Sequence, residues 1–246
     1  MVSWVKKPPV VRSAFDKFDM EPLPQPETVR LRFRKVGDLQ FISHLDLQRV
    51  MGRVLIRSGV PIWFTQGFNP HPKIVFALPL SIGAQSECEY VDIKIDRKIS
   101  LLEIAERINS QVTDELRVTE AYHPKTKFCE IGQVAYRIEI DCDGLSAKTA
   151  ADAVKLLTTS PLMIVKRSKS GEKEVDLTGF VKGVSAAYSD RLRLDVRLTG
   201  GEGSLNPEAV VAVLRERLGI LADYPASGSY TITRTEFYFA DGTKFR

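Results

Sequence analysis

Two of the chain's three histidines fall in one stretch, Phe41 to Lys73. His44 directly follows Ser43, and Asp46 lies three residues beyond that serine. A serine and an acidic residue at this spacing open helices, because the hydroxyl accepts from a free backbone N–H and the carboxylate reaches back. An imidazole in the first helical turn meets the positive end of the helix dipole, which disfavours its protonated form. Kept neutral, it can accept a proton, ligate a metal or donate an N–H to phosphate. Further on comes Gln66-Gly67-Phe68-Asn69-Pro70-His71-Pro72-Lys73. Pro70 and Pro72 fix the backbone on both sides of His71 and remove two amide donors. Gly67 permits a turn closed to most other residues. A loop this stiff presents Gln66, Asn69, His71 and Lys73 in fixed directions, as binding loops on rigid scaffolds do. With His44 they form the candidate substrate-binding set. His44, Asp46 and His71 could hold a metal if the loop folded back. However, His44 and Asp46 stand two apart on a helix and point away from each other. Asp46 is better explained as the cap partner of Ser43, and no metal is expected.

Arginines form the second chemical pattern. Arg30, Arg32 and Arg34 alternate with Val29, Leu31 and Phe33, so the two sets face opposite sides of a strand. Arg49, Arg53 and Arg57 recur every four residues and make one helical stripe. Arg191, Arg193 and Arg197 share a face with Asp195. Such rows suit an anion track such as an RNA backbone, with Arg30, Arg32, Arg34, Arg49 and Arg53 as the candidate RNA contacts. The plain alternative is a solvated face, neutralised by Asp92, Asp96, Glu139 and Asp195.

The elements that must position these residues form two similar sets. Residues 1–28 hold Pro8, Pro9, Pro22, Pro24 and Pro26 and read as a flexible, proline-rich tail, with Val10, Val11, Phe15 and Phe18 as an apolar patch able to dock. Then come a strand at 29–34, a helix from Ser43 to Gly59, strands at 61–65, 74–80 and 90–95, a helix at 101–108 and a strand at 116–121. The second set has a strand at 134–140, a helix from Ser146 to about Leu157, strands at 162–166, 175–181 and 191–198, a helix opened by Asn206-Pro207 and a strand at 230–239. The order predicts an α+β protein of two tandem ferredoxin-like (βαββαβ) halves, 29–125 and 133–246. Each half would be an antiparallel sheet with helices on one face and the other face open.

Composition narrows the function classes. No apolar run reaches the ~20 residues of a membrane span, and the start MVSWVKKPPV lacks the apolar region of a secretory signal. The three cysteines are widely spaced and odd in number, which suits free thiols in a reducing, cytoplasmic compartment. A net charge of +4 permits an RNA partner without requiring one. P-loop, GxGxxG, GxSxG and HExxH motifs are missing. Gly200-Gly201-Glu202-Gly203 lacks the Lys-Ser/Thr pair of a phosphate cradle and reads as a turn. No cofactor is expected.

Phe41-Ile42-Ser43-His44-Leu45-Asp46-Leu47, the Gln66 to Ile74 segment and Glu87 to Ile93 with its Glu89-Tyr90-Val91-Asp92 core resemble the radical-SAM-linked domain of unknown function, the radical SAM-associated protein family. Glu174-Val175-Asp176, Asn206-Pro207-Glu208 and Arg234-Thr235-Glu236 are similar to its later pattern, so the resemblance spans about Val29 to Phe239. The family has no established catalytic residues to carry over. What it implies is a partner, a separate radical SAM protein, because this chain has no CxxxCxxC. It also implies a setting in RNA or ribosome modification. In architecture the chain also resembles the RNA-processing endoribonucleases of CRISPR systems, but residues 221–229 hold only Gly228 where those carry a glycine-rich loop. The expectation is therefore a non-catalytic accessory module that binds RNA or another substrate for a radical SAM enzyme. The alternatives are a metal-independent ribonuclease with His44 or His71 as general base, and a protein–protein scaffold docking through the tail.

Overall fold

Strand β1 (Pro22–Lys35) begins earlier than its alternation suggests. In the computed structural model, which describes residues 20–159, 161–168, 171–201 and 203–246, the prolines at 22, 24 and 26 are part of this strand. The expected tail boundary at 28 is thus corrected for residues 22–28. Prolines are tolerated there because the pairing with β3 (Ala84–Arg97) is irregular between Pro22 and Glu27, so missing N–H donors break little of the ladder. Val10, Val11, Phe15 and Phe18 lie outside the described residues.

After β1 come α1 (His44–Arg57), β2 (Ile74–Phe76), β3, α2 (Leu101–Asn109) and β4 (Val118–Tyr122). The second series is β5 (Ile131–Cys142), α3 (Ala147–Thr158), β6 (Met163–Ser168), β7 (Gly171–Asp176), β8 (Val181–Tyr188), β9 (Leu192–Thr199), α4 (Glu208–Leu218) and β10 (Gly228–Phe239). The chain is a mixed α+β protein with four α-helices among the described residues. Its strands form one eight-stranded sheet in the order β4-β1-β3-β10-β5-β9-β8, with β2 also on β3; β6 and β7 make a separate hairpin. One unit therefore runs β4-β1-β3-β2 and the other β10-β5-β9-β8.

Two expectations need correction. Two separate antiparallel sheets were expected, but a parallel pairing of Ile232, Thr233 and Arg234 with Ala84, Gln85 and Ser86 joins the units into one mixed sheet. The strand expected at 61–65 is reduced to isolated bridges, and that at 175–181 straddles the end of β7 and the start of β8.

The helices pack as their patterns predict. Ser43 caps α1, its Oγ accepting from Asp46 N at 3.1 Å while its hydroxyl donates to the Asp46 carboxylate at 2.7 Å. Leu47, Met51, Val54 and Leu55 are buried against Val29, Leu31 and Phe33 of β1. Each such side chain gains about 1.5–3 kcal/mol by leaving water. The opposite face of β1 is covered rather than open. Residues around Thr126 to Phe128 and the C-terminal Phe245 close over it, and Tyr90 packs between Phe237 and Phe245. No helix is long and apolar enough to cross a membrane among the described residues.

Candidate functional site

The expected loop site does not assemble. His71 Nδ1 lies 3.1 Å from both Thr65 Oγ1 and the Asn69 carbonyl oxygen. His44 instead meets the Gln48 side-chain amide at 3.0 Å and the Phe76 ring edge-on at 5.4 Å. Among the described residues no hydrogen bond, ion pair or ring contact joins the two histidines. Gln66, Asn69, His71 and Lys73 are exposed. Lys73 lines a groove over Asp92 and Phe128, on the sheet face opposite Phe33. No group of His, Cys, Asp or Glu able to hold a metal occurs among the described residues.

The arginine row is corrected most sharply at Arg30. Its side chain is fully buried, paired with Asp92 at 2.7 and 2.9 Å and stacked on Phe128 at 4.1 Å. Burial alone would lower its pKa, but Asp92 more than offsets that and holds the charge. A guanidinium so enclosed contributes to the fold and is withheld from any phosphate. Arg32 lies between Glu120 and Glu236, Arg34 against Asp114, and Arg49 against Asp46. Arg53 is exposed on α1. In the second unit Arg193 is bound to Asp195 and Arg197 stacks on Tyr238. The two arginine rows thus read mainly as neutralised surface.

A different cluster stands out on the helix-covered face, where the two units meet. Lys35 is opposite Ser86, Ser86 is opposite Arg234, and Arg234 is opposite Tyr136. One polar row therefore crosses four adjacent strands, β1, β3, β10 and β5. Phe33 is opposite Glu89 while Lys35 is opposite Ser86, so β3 carries one extra residue between Ser86 and Glu89. Glu89 shares this face with Val91 and Ile93 by plain alternation, and the bulge brings Ser86, which alternation would send to the other face, opposite Lys35, as bulges near functional sites often re-aim a side chain.

The row is deeply buried and unevenly satisfied. Lys35, Ser86, Glu89 and Arg234 are at most 3% exposed. Arg234 binds Glu89 at 2.9 Å, the Pro79 carbonyl at 2.8 Å and the Tyr136 hydroxyl at 3.2 Å. Burial works against the Arg234 charge, but Glu89 and Tyr136 raise its pKa. Lys35 Nζ has no hydrogen-bond partner. Burial pushes its pKa below the usual lysine value; Glu89 pulls the other way and Arg234 adds to the depression. The same charges reach His44 at the mouth of α1. Burial, Arg234 and Lys35 lower its pKa against the pull of Glu89, which disfavours the imidazolium form. Beside Arg234 and Tyr136 opens a cavity of about 200 Å³, bordered by Leu78 to Ser81 and Ser204 to Pro207.

Sequence reasoning missed Lys35, Glu89 and Arg234 as site residues. Strand alternation puts Lys35 on the apolar side with Val29, Leu31 and Phe33, and a lysine at such a position is a signal. Nothing local in the sequence pairs Glu89 with Arg234, 145 residues away.

Fold and site together define a two-unit α+β protein with a buried polar row at the seam. The chain belongs to a family described as an uncharacterized protein conserved in bacteria (DUF2344), whose model matches residues 28–207. Arg234 lies beyond that match and completes the row. No curated protein matches the chain. Among solved structures, it is similar to a chain of a Cbf5-Nop10-Gar1 complex at 8% identity and a TM-score of 0.46, covering 91% of this chain and 56% of that one. It thus spans little more than half the length of that relative. An unknown protein from Galdieria sulphuraria aligns at 6% identity and a TM-score of 0.26, covering 85% of this chain and 99% of that one.

Proposed function

We propose that this chain is an accessory module that holds a substrate for a separate radical SAM enzyme, with the buried row at the seam as the holding site. The observation that carries this reading is Lys35, a buried amine without a hydrogen-bond partner beside the buried Glu89–Arg234 ion pair. Native folds rarely leave such a group unmatched unless a ligand, water or reaction uses it. The radical SAM partner comes from the resemblance carried by Ser43-His44, Glu89-Tyr90 and Arg234-Thr235, motifs that supply three residues of this site. In this reading each unit is a ferredoxin-like half. A helix follows the first and third strands of each, which accords with the split βαβ order, and β6–β7 is an insertion in the second.

The test is recovery of the full-length tagged chain from a bacterium that encodes it. The expected result is a co-purifying protein with a CxxxCxxC motif and iron–sulfur absorbance, retained after nuclease treatment. A Lys35→Met variant should capture the same protein but fail to support its turnover. If the chain instead brings down only RNA, released by salt with a steep log–log slope, the reading fails in favour of an RNA binder. If nothing is captured, the accessory role is refuted.

A further inference from the structure

We propose that the seam binds the anionic oxygen group of a small ligand, a carboxylate or a phosphate, on the Lys35 amine. This deepens the substrate-holding reading and rests on it. Lys35 ends β1 at 1% exposure and its amine lacks an acceptor. No neighbouring group accepts from it in the folded chain: Glu89 Oε1 accepts from Arg234, which is also held by two backbone carbonyls and Tyr136. An ammonium buried without an acceptor is costly, and an anionic oxygen would supply the missing acceptor. The formal charges agree: protonated Lys35 and Arg234 outweigh Glu89 by one, so a single anion neutralises the row.

The position of α1 is a second reason. This 14-residue helix starts at His44, whose ring packs on Phe76 at 5.4 Å, and Phe76 packs at 6.2 Å on Phe33, two residues before Lys35 on the same face of β1. The first turn of a helix offers free N–H groups and the positive end of its dipole to an anion. A neutral His44 adds an N–H donor. Phe41, Leu45 and Ile82 are exposed near this end, where Gly83 N bonds the Gln40 carbonyl, and they offer an apolar rim for the rest of the ligand. Because the bound anion favours protonated Lys35, binding takes up a proton only at pH values where the free amine has lost it, and affinity falls as pH rises through the Lys35 pKa; Glu89 on β3, Arg234 on β10 and His44 on α1 are the titratable and charged groups that interact with that amine.

The experiment is an NMR titration of full-length protein carrying ¹³Cε-labelled lysine, with inorganic phosphate and acetate as separate probes at constant ionic strength. The Lys35 signal is assigned by its loss in Lys35→Met. It should titrate below the other lysines, and one probe should move it upward saturably. A response to phosphate alone assigns a phosphoryl group, and a response to acetate alone a carboxylate. Thermal unfolding should show a saturable rise in Tm with the same probe, and Lys35→Met should bind on the order of tenfold more weakly or less. Lys35→Gln, which keeps a donor without the charge, gives the same readout should the methionine variant not fold. Neither probe moving the Lys35 signal, or an undiminished Tm response in the variants, overturns the proposal. Either outcome leaves the partner-capture test untouched, so its failure remains separable from that of the accessory reading.

Discussion

Glu89 and Arg234 illustrate how the same ion pair differs in worth with burial. At 2% and 3% side-chain exposure, their attraction is set against the loss of two hydration shells. Removing one partner leaves the other charge stranded. Glu89→Gln should therefore cost about 3–5 kcal/mol in chemical denaturation, while the exposed Arg193–Asp195 pair should cost no more than ~1 kcal/mol when broken. Lys35 predicts a pH dependence. Its pKa is depressed in the folded state, so between that value and the ordinary 10.5 the unfolded chain binds the extra proton. Stability should rise with pH across this window, and Lys35→Met should lose the rise, as read from unfolding midpoints at a series of pH values. Below the window both states are protonated and the penalty is constant; above it both are neutral and the penalty is gone.

Elements were legible where their cause is local. Ser43 and Asp46 announce the start of α1, and the cap forms as the spacing requires. Ser43→Ala should cost about 1 kcal/mol of stability, measurable by urea unfolding, and should loosen the first turn that carries His44. Strand alternation placed Val29, Leu31 and Phe33 correctly and put Lys35 beside them. The bulge between Ser86 and Glu89 has no such local signature, because an extra residue in a ladder shows only against its partner strand. The Gln66–Lys73 loop, expected to present its side chains in fixed directions, is exposed, and its direction depends on pairings that sequence does not state. An isolated antiparallel bridge between Phe64 and Pro72 closes the loop on itself.

Across the whole molecule, the least legible feature is what covers what. Arg30 looks like a surface cation in sequence, yet Phe128 and Phe245 from distant segments enclose it. Phe245 also packs on Tyr90 of the first unit, as does Phe237, and the β3–β10 pairing fuses the two sheets. The first unit has its own apolar core under α1 and α2, but alone it would lose the cover over Arg30 and Tyr90 and the β10 partner of β3. A fragment of residues 20–125 should fail to fold cooperatively in circular dichroism melts, whereas two independent halves would melt separately. The order of elements was readable because each strand and helix carries its own periodicity. The joining of the units was not, because it depends on three residue pairs and an aromatic cluster distant in sequence.

In the reading proposed above, Lys35 serves a ligand rather than the fold. The decisive measurement is urea unfolding of ligand-free wild-type protein and Lys35→Met at neutral pH. A buried amine without an acceptor weakens the folded state, so the methionine variant should unfold at higher urea. A lower midpoint for Lys35→Met would show that the amine stabilises the fold and would contradict the account.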